Sequence, residues 1–195
     1  MKLLLYCVKA KPMLRDYRGK AIYNRFVISP NDRPFTSDDT QPILNGKIVA
    51  ECDFEVEEIR PEKYWHSTED FDYIYNTGTV YYDDLLKKSC LMDYELDDYL
   101  GCEDNGYAIH IKNLHIFDKP KELSNYEDEW EYPLEKAPQN MRRCYSTLYS
   151  NIEADMPIRT DSYILISIKP QWLCKILNGE KTIEVRKKVL KEMIK

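Results

Sequence analysis

Between Tyr163 and Lys187 the hydrophobic period changes twice, from two residues to helical spacing and back, and the rest of the chain is organised around that segment. Ile164, Ile166 and Ile168 alternate with Leu165, Ser167 and Lys169, the two-residue period of a strand with one face on a core. Pro170 then stands where a first helical turn tolerates a missing N–H. Trp172, Leu173, Ile176 and Leu177 recur at helical spacing, and Gly179 is suited to the left-handed residue that closes a helix. From Lys181 alternation returns, with Ile183 and Val185 on one face and Thr182, Glu184 and Arg186 on the other. The sequence therefore predicts strand, helix, strand, with a polar row on the second strand.

The rest of the chain adds strands and short helices. Leu3–Val8 is a nearly continuous apolar run, as in a strand buried on both faces. Residues 19–42 are rich in turn formers and predict an inserted loop, and Asn45-Gly46 a tight turn. Ile48, Ala50, Cys52, Phe54 and Val56 then fall on one face of a strand, with Glu51, Asp53 and Glu55 on the other. Residues 60–82 hold Tyr, Trp and acids without a firm period, which predicts an excursion with little regular structure. Two short helices follow, 83–88 and 93–100, then a strand over 106–117 that ends at Phe117-Asp118-Lys119-Pro120. Strands with a few short helices give an α+β class built on a small, partly open β-barrel.

Composition narrows the function classes. A length of 195 residues fits one domain with a real core, and 43% hydrophobic content excludes wholesale disorder. No apolar run approaches a membrane span, and Leu3–Val8 is too short for a secretory core, so a cytoplasmic protein with no membrane partner is expected. Six scattered cysteines without a C-x-x-C pair, and three histidines, predict neither a zinc site nor a disulfide framework, and no cofactor is indicated. Residues 161–195 hold eight Lys/Arg against four acids, and residues 1–25 seven against one, in a chain of net charge −6. If the ends meet, the fold carries one basic face on an acidic body.

The wording S-I-K-P, helix, N-G-E-K-T-I-E-V-R-K, with Gly179, Lys181, Glu184 and Arg186 as its G-x-K-x-x-E-x-R core, resembles the opening of ASCH-domain proteins, a branch of the PUA-like β-barrels that handle RNA and modified nucleosides. The blocks at 3–12, 44–59, 90–101, 105–123 and 136–140 resemble later parts of that family, so the likeness covers most of the chain. The order departs from it: here the family's opening comes last. The resemblance implies a circular permutation, with 1–140 as the later strands and helices, 141–162 as a linker, and 163–195 as the displaced first strand–helix–strand of a single 1–195 domain. The alternative is a fragment of a tandem array.

The resemblance implies binding of nucleic acid, RNA foremost, or of a modified nucleoside in a basic cleft. Arg186 offers a planar fork to phosphate or a base edge, Lys9, Lys169 and Lys187 supply point charges, and Trp172 or Tyr107 can stack on a base. His110 faces away from Ile109 and Ile111, toward the same cleft or toward solvent. Simple ion pairing along the strand is the competing reading of the polar row. Some ASCH proteins are N4-acetylcytidine amidohydrolases and others are credited with ribonuclease activity, which makes Lys181 and Glu184 catalytic candidates. Glu184 stands where those amidohydrolases have a nucleophilic threonine, and between two cations a carboxylate suits binding better than proton abstraction. A third reading is an acidic interaction module, or nucleic-acid mimic, using 51–104. Monomer and domain-swapped dimer are both compatible with a tail that must return to the body.

Overall fold

A computed structural model of the chain describes residues 1–9, 14–15, 21–22, 46–101, 104–148 and 158–194. In chain order the strands are β1 (Lys2–Cys7), β2 (Leu14–Arg15), β3 (Ala21–Ile22), β4 (Ile48–Trp65), β5 (Phe71–Asn76), β6 (Gly106–Lys121), β7 (Tyr126–Glu127), β8 (Met141–Leu148), β9 (Ile158–Ile168) and β10 (Ile183–Arg186). The helices are α1 (Tyr82–Ser89), α2 (Asp93–Leu100) and α3 (Pro170–Leu177). The chain divides into two compact units, one of Met1–Asp53 and Asn113–Asn178, the other of Phe54–Lys112 and Gly179–Lys195. β4 and β6 each run through both.

In the first unit β1 lies between two neighbours. It pairs antiparallel with β4, Leu3 opposite Cys52, and parallel with β9, from Lys2 opposite Tyr163 to Cys7 opposite Ile168. β8 pairs antiparallel with β9, and β7 with β8. Leu3, Leu4 and Leu5 are all buried, as an apolar run covered on both faces must be. One face packs with Tyr6, Ile48, Tyr126, Leu134, Cys144 and Leu165. α3, with Pro170 in its first turn, packs on β1 and buries Leu173, Cys174, Ile176 and Leu177. Each large aliphatic there is worth about 1.5–3 kcal/mol.

In the second unit β5 pairs antiparallel with the outer half of β4, Arg60 opposite Asn76 through Trp65 opposite Phe71. β10 pairs antiparallel with β6, Ile183 opposite His110 and Arg186 opposite Tyr107. α1 and α2 supply Leu85, Leu96 and Leu100 to a core shared with Ile59, Tyr75, Ala108, Ile183 and Val185.

Several expectations change. The pairings follow the order β10-β6-β4-β1-β9-β8-β7 with β5 on β4, giving a mixed eight-strand sheet. Among the described residues no pairing closes it, so the class is α+β but the strands form an open sheet, not a barrel. Alternation assigns residues to faces and says nothing about closure. Residues 60–82, expected to be irregular, hold the β4–β5 hairpin and the start of α1. Lys63 shares a face with Trp65, Phe71 and Tyr73, and this cation on the aromatic side hides the alternation. The 141–162 stretch carries β8 and the start of β9, whose backbones satisfy each other. β6 continues past Phe117 to Lys121. Of the 19–42 loop, Ala21–Ile22 is a short strand paired with Leu14–Arg15, and Gly19, Lys20 and 23–42 lie outside the described residues.

Candidate functional site

The polar row of the second unit is interior. Lys181 and Glu184 are only 3% and 7% exposed. Lys181 Nζ donates to Ser89 O at 2.5 Å and lies 3.4 Å from Glu184 Oε2, and Arg186 Nη2 lies 2.9 Å from Glu184 Oε1. One carboxylate thus serves two cations. The sequence folds this way because α1 ends here: Cys90 adopts the left-handed conformation, with a φ of 55°, and Thr182 N donates to Lys88 O while Lys181 takes Ser89 O. Orphan carbonyls and the negative end of the helix dipole are satisfied by one ammonium and one amide. Burial lowers the Lys181 ammonium below its usual value, and the attraction of Glu184 opposes that shift.

The β10–β6 register settles which residues share a face. Glu184 and Arg186 stand opposite Ile109 and Tyr107, so these four are together. His110 stands opposite Ile183, on the other side of the sheet. It therefore does not reach the Glu184–Arg186 face. Its Nε2 lies 3.6 Å from Glu57 Oε2. That carboxylate also accepts from Thr77 Oγ1 at 2.5 Å and Thr79 Oγ1 at 2.6 Å. Burial raises the Glu57 carboxyl, but the two threonine hydroxyls and His110 outweigh it and leave it below its usual range. Lys187 is exposed, with its ammonium 5.9 Å from the Tyr99 ring.

The remaining candidates gather in the first unit. Cys7 pairs with Ile168, and Val8 N donates to Ile168 O at 2.9 Å, so Lys9 and Lys169 emerge from the same end of two adjacent parallel strands. Both are exposed. Lys169 is also the residue before α3, its carbonyl accepting from Trp172 N and Leu173 N. Trp172 is half-buried, and Lys175 Nζ lies 5.2 Å from its ring. Lys9 further lines a cavity of about 460 Å³ together with the apolar Tyr6, Leu123 and Leu134, the polar Ser124 and Lys136, and the carboxylates Glu122 and Glu135. The Lys9 side chain lies across Gly46, where any Cβ would come within 2.9 Å of it. Pro138, in the 136–140 block, accepts at its carbonyl from the Ser167 hydroxyl at 2.6 Å, which ties that block to β9.

Nothing in the sequence pattern singles out Lys136. The i, i+3 spacing of Trp172 and Lys175 on a helix was the available signal for Lys175. Among the described residues no cluster of His, Cys, Asp or Glu is placed to hold a metal ion. The described cysteines are all unbridged thiols, and burial pushes those of Cys7, Cys52 and Cys144 up to about 12. No described helix is long and apolar enough to cross a membrane. No protein-family model, no curated protein and no solved structure matches the chain.

Proposed function

We propose that the chain is an ASCH-type, PUA-like domain with permuted order that binds single-stranded nucleic acid, RNA foremost, or a modified nucleoside. The observation that carries this reading is the emergence of Lys9 and Lys169 from one end of the β1–β9 pair, beside a helix that presents Trp172 and Lys175. Two lysines neutralise neighbouring phosphates, and an indole flanked by an ammonium is a platform for a base. The cavity that Lys9 lines, about 460 Å³, lies in the size range of small-ligand sites. The parallel β1–β9 pairing also supports the permutation, since it sets the strand that opens the family's order against the one that follows the joined ends.

Binding draws on the first unit more than on Arg186, whose guanidinium is engaged by Glu184. For the same reason binding is favoured over hydrolysis. Lys181 and Glu184 are buried against each other and against the end of α1, which leaves a substrate atom no open approach to either.

The test is fluorescence anisotropy of a labelled single-stranded RNA across a salt series. Binding should weaken steeply between about 0.05 M and 0.2 M salt, and Lys9→Glu with Lys169→Glu should lower the logarithmic salt slope by about one per residue. No binding at low salt, or an unchanged slope in the double variant, overturns the proposal.

A further inference from the structure

The outer half of the β4–β5 hairpin presents an aromatic face that the nucleic-acid reading does not use. In register, Lys63, Trp65, Phe71 and Tyr73 share one side of the ribbon. Trp65 and Phe71 lie 4.8 Å apart between ring centroids, and Phe71 meets Tyr73 edge-on at 5.5 Å. Toward the base of the hairpin this side enters the core through Tyr75, which is fully buried. Toward the tip it opens, and Trp65 is 54% exposed. A single exposed hydrophobic side chain means little, but here the indole continues into Phe71 and Tyr73 as one contiguous aromatic patch, which marks a contact surface.

The surface already holds a cation. Lys63 Nζ sits 4.3 Å from the Phe71 centroid, 5.8 Å from Trp65 and 6.0 Å from Tyr73. Ring quadrupoles attract ammonium and guanidinium groups, so these rings favour a positive guest. The surroundings agree. Residues 54–112 carry fifteen acidic and five basic side chains. Asp72 itself stands opposite Tyr64 on the other side of the ribbon, with its carboxylate 2.7 Å from His66 Nε2. The acids that bear on the aromatic side are those of α2: burial and the like charges of Asp93, Asp72 and Asp98 raise the Asp97 carboxyl, and Asp97 interacts with Tyr75, which lies on that side. A stretch with this charge balance favours a cationic partner over phosphate.

We propose that the Trp65–Phe71–Tyr73 face is a docking surface for an arginine- or lysine-rich segment of a partner protein, with Lys63 occupying the rings until the partner's cation replaces it. One guest cation stacks on Trp65 and Phe71, and others face the acids of α2. Lys63 then has a definite sign: as a resident competitor of like charge, it weakens binding.

The experiment is fluorescence anisotropy of labelled octa-arginine with the full chain at about 0.15 M salt, where screening is effective beyond about 8 Å. Octaglutamate and dodeca-uridylate serve as comparators. Trp65→Ala should weaken octa-arginine binding about fivefold or more, and Lys63→Ala should tighten it by a similar factor. Lys63 is exposed, so its variant tests the idea even if Trp65→Ala disturbs the hairpin. Absence of binding, or equal affinity in wild type and both variants, overturns the proposal, the latter leaving only bulk charge. Dodeca-uridylate binding that Lys63→Ala weakens would make the face a nucleic-acid platform. Self-association abolished by Trp65→Ala would make the occupant a second copy of this chain. Either result refutes the cationic partner.

Discussion

Replacing Glu184 by Gln keeps the side chain's shape and removes the one negative charge between Lys181 and Arg186. Lys181, with its side chain 2% exposed, is left facing another cation, and stranding a buried charge in this way costs about 3–5 kcal/mol. Proton release sets a ceiling on the Lys181 share. From a usual value of 10.5, shedding the proton at pH 7 costs about 1.4 kcal/mol per pH unit, or about 5 kcal/mol. At pH 9 the same ceiling is about 2 kcal/mol. The sign follows: the folded variant binds fewer protons at Lys181 than the unfolded chain, so its deficit shrinks as pH rises toward 10.5. Lys181→Met should be milder. It removes the buried ammonium, leaves Glu184 paired with Arg186 at 2.9 Å, and costs about 1–2 kcal/mol for the lost bond to Ser89 O. The double variant should be more stable than Glu184→Gln alone. Urea unfolding followed by circular dichroism at pH 7 and pH 9 measures all of this, and melting should fall by about 2–4 °C per kcal/mol. A Glu184→Gln deficit under about 1 kcal/mol, a deficit independent of pH, or a Lys181→Met variant worse than Glu184→Gln would refute the account of the triad.

Two further outcomes follow from packing. Gly106→Ala would set a Cβ 2.6 Å from Leu100 Cδ2 and 3.4 Å from Arg186 O, so about 1–3 kcal/mol of stability should be lost, measured by the same unfolding experiment. Among the described cysteines Cys90 alone is not buried, so brief iodoacetamide treatment followed by peptide mass spectrometry should find it alkylated before Cys7, Cys52, Cys144 or Cys174.

Much of the local structure was legible because single residues decide it. Pro170 and Gly179 bracket α3, Gly179 takes a φ of 76°, and α2 spans the expected 93–100. Burial of the Glu184 row was not legible. A two-residue period says which side chains share a face, not whether the end of a distant helix covers it. Ser89, whose carbonyl meets Lys181, lies 92 residues away in the chain. His110 shows the same limit: alternation separated it from Ile109, but only the pairing with Ile183 assigns its side of the sheet. Lys63 misled for a different reason, since a lysine whose ammonium lies over aromatic rings reads as polar in a sequence while belonging to an apolar surface.

Both compact units are assembled from two stretches far apart in the chain, and β4 and β6 are the threads common to them. Neither can be excised as one continuous piece. Cutting away Gly179–Lys195 would strip β10 from β6 and take Ile183 and Val185 out of the core they share with α1 and α2. The ammonium that closes the end of α1 would go with them. A C-terminal truncation is therefore an internal wound, and expression trials should vary surface residues in preference to chain length.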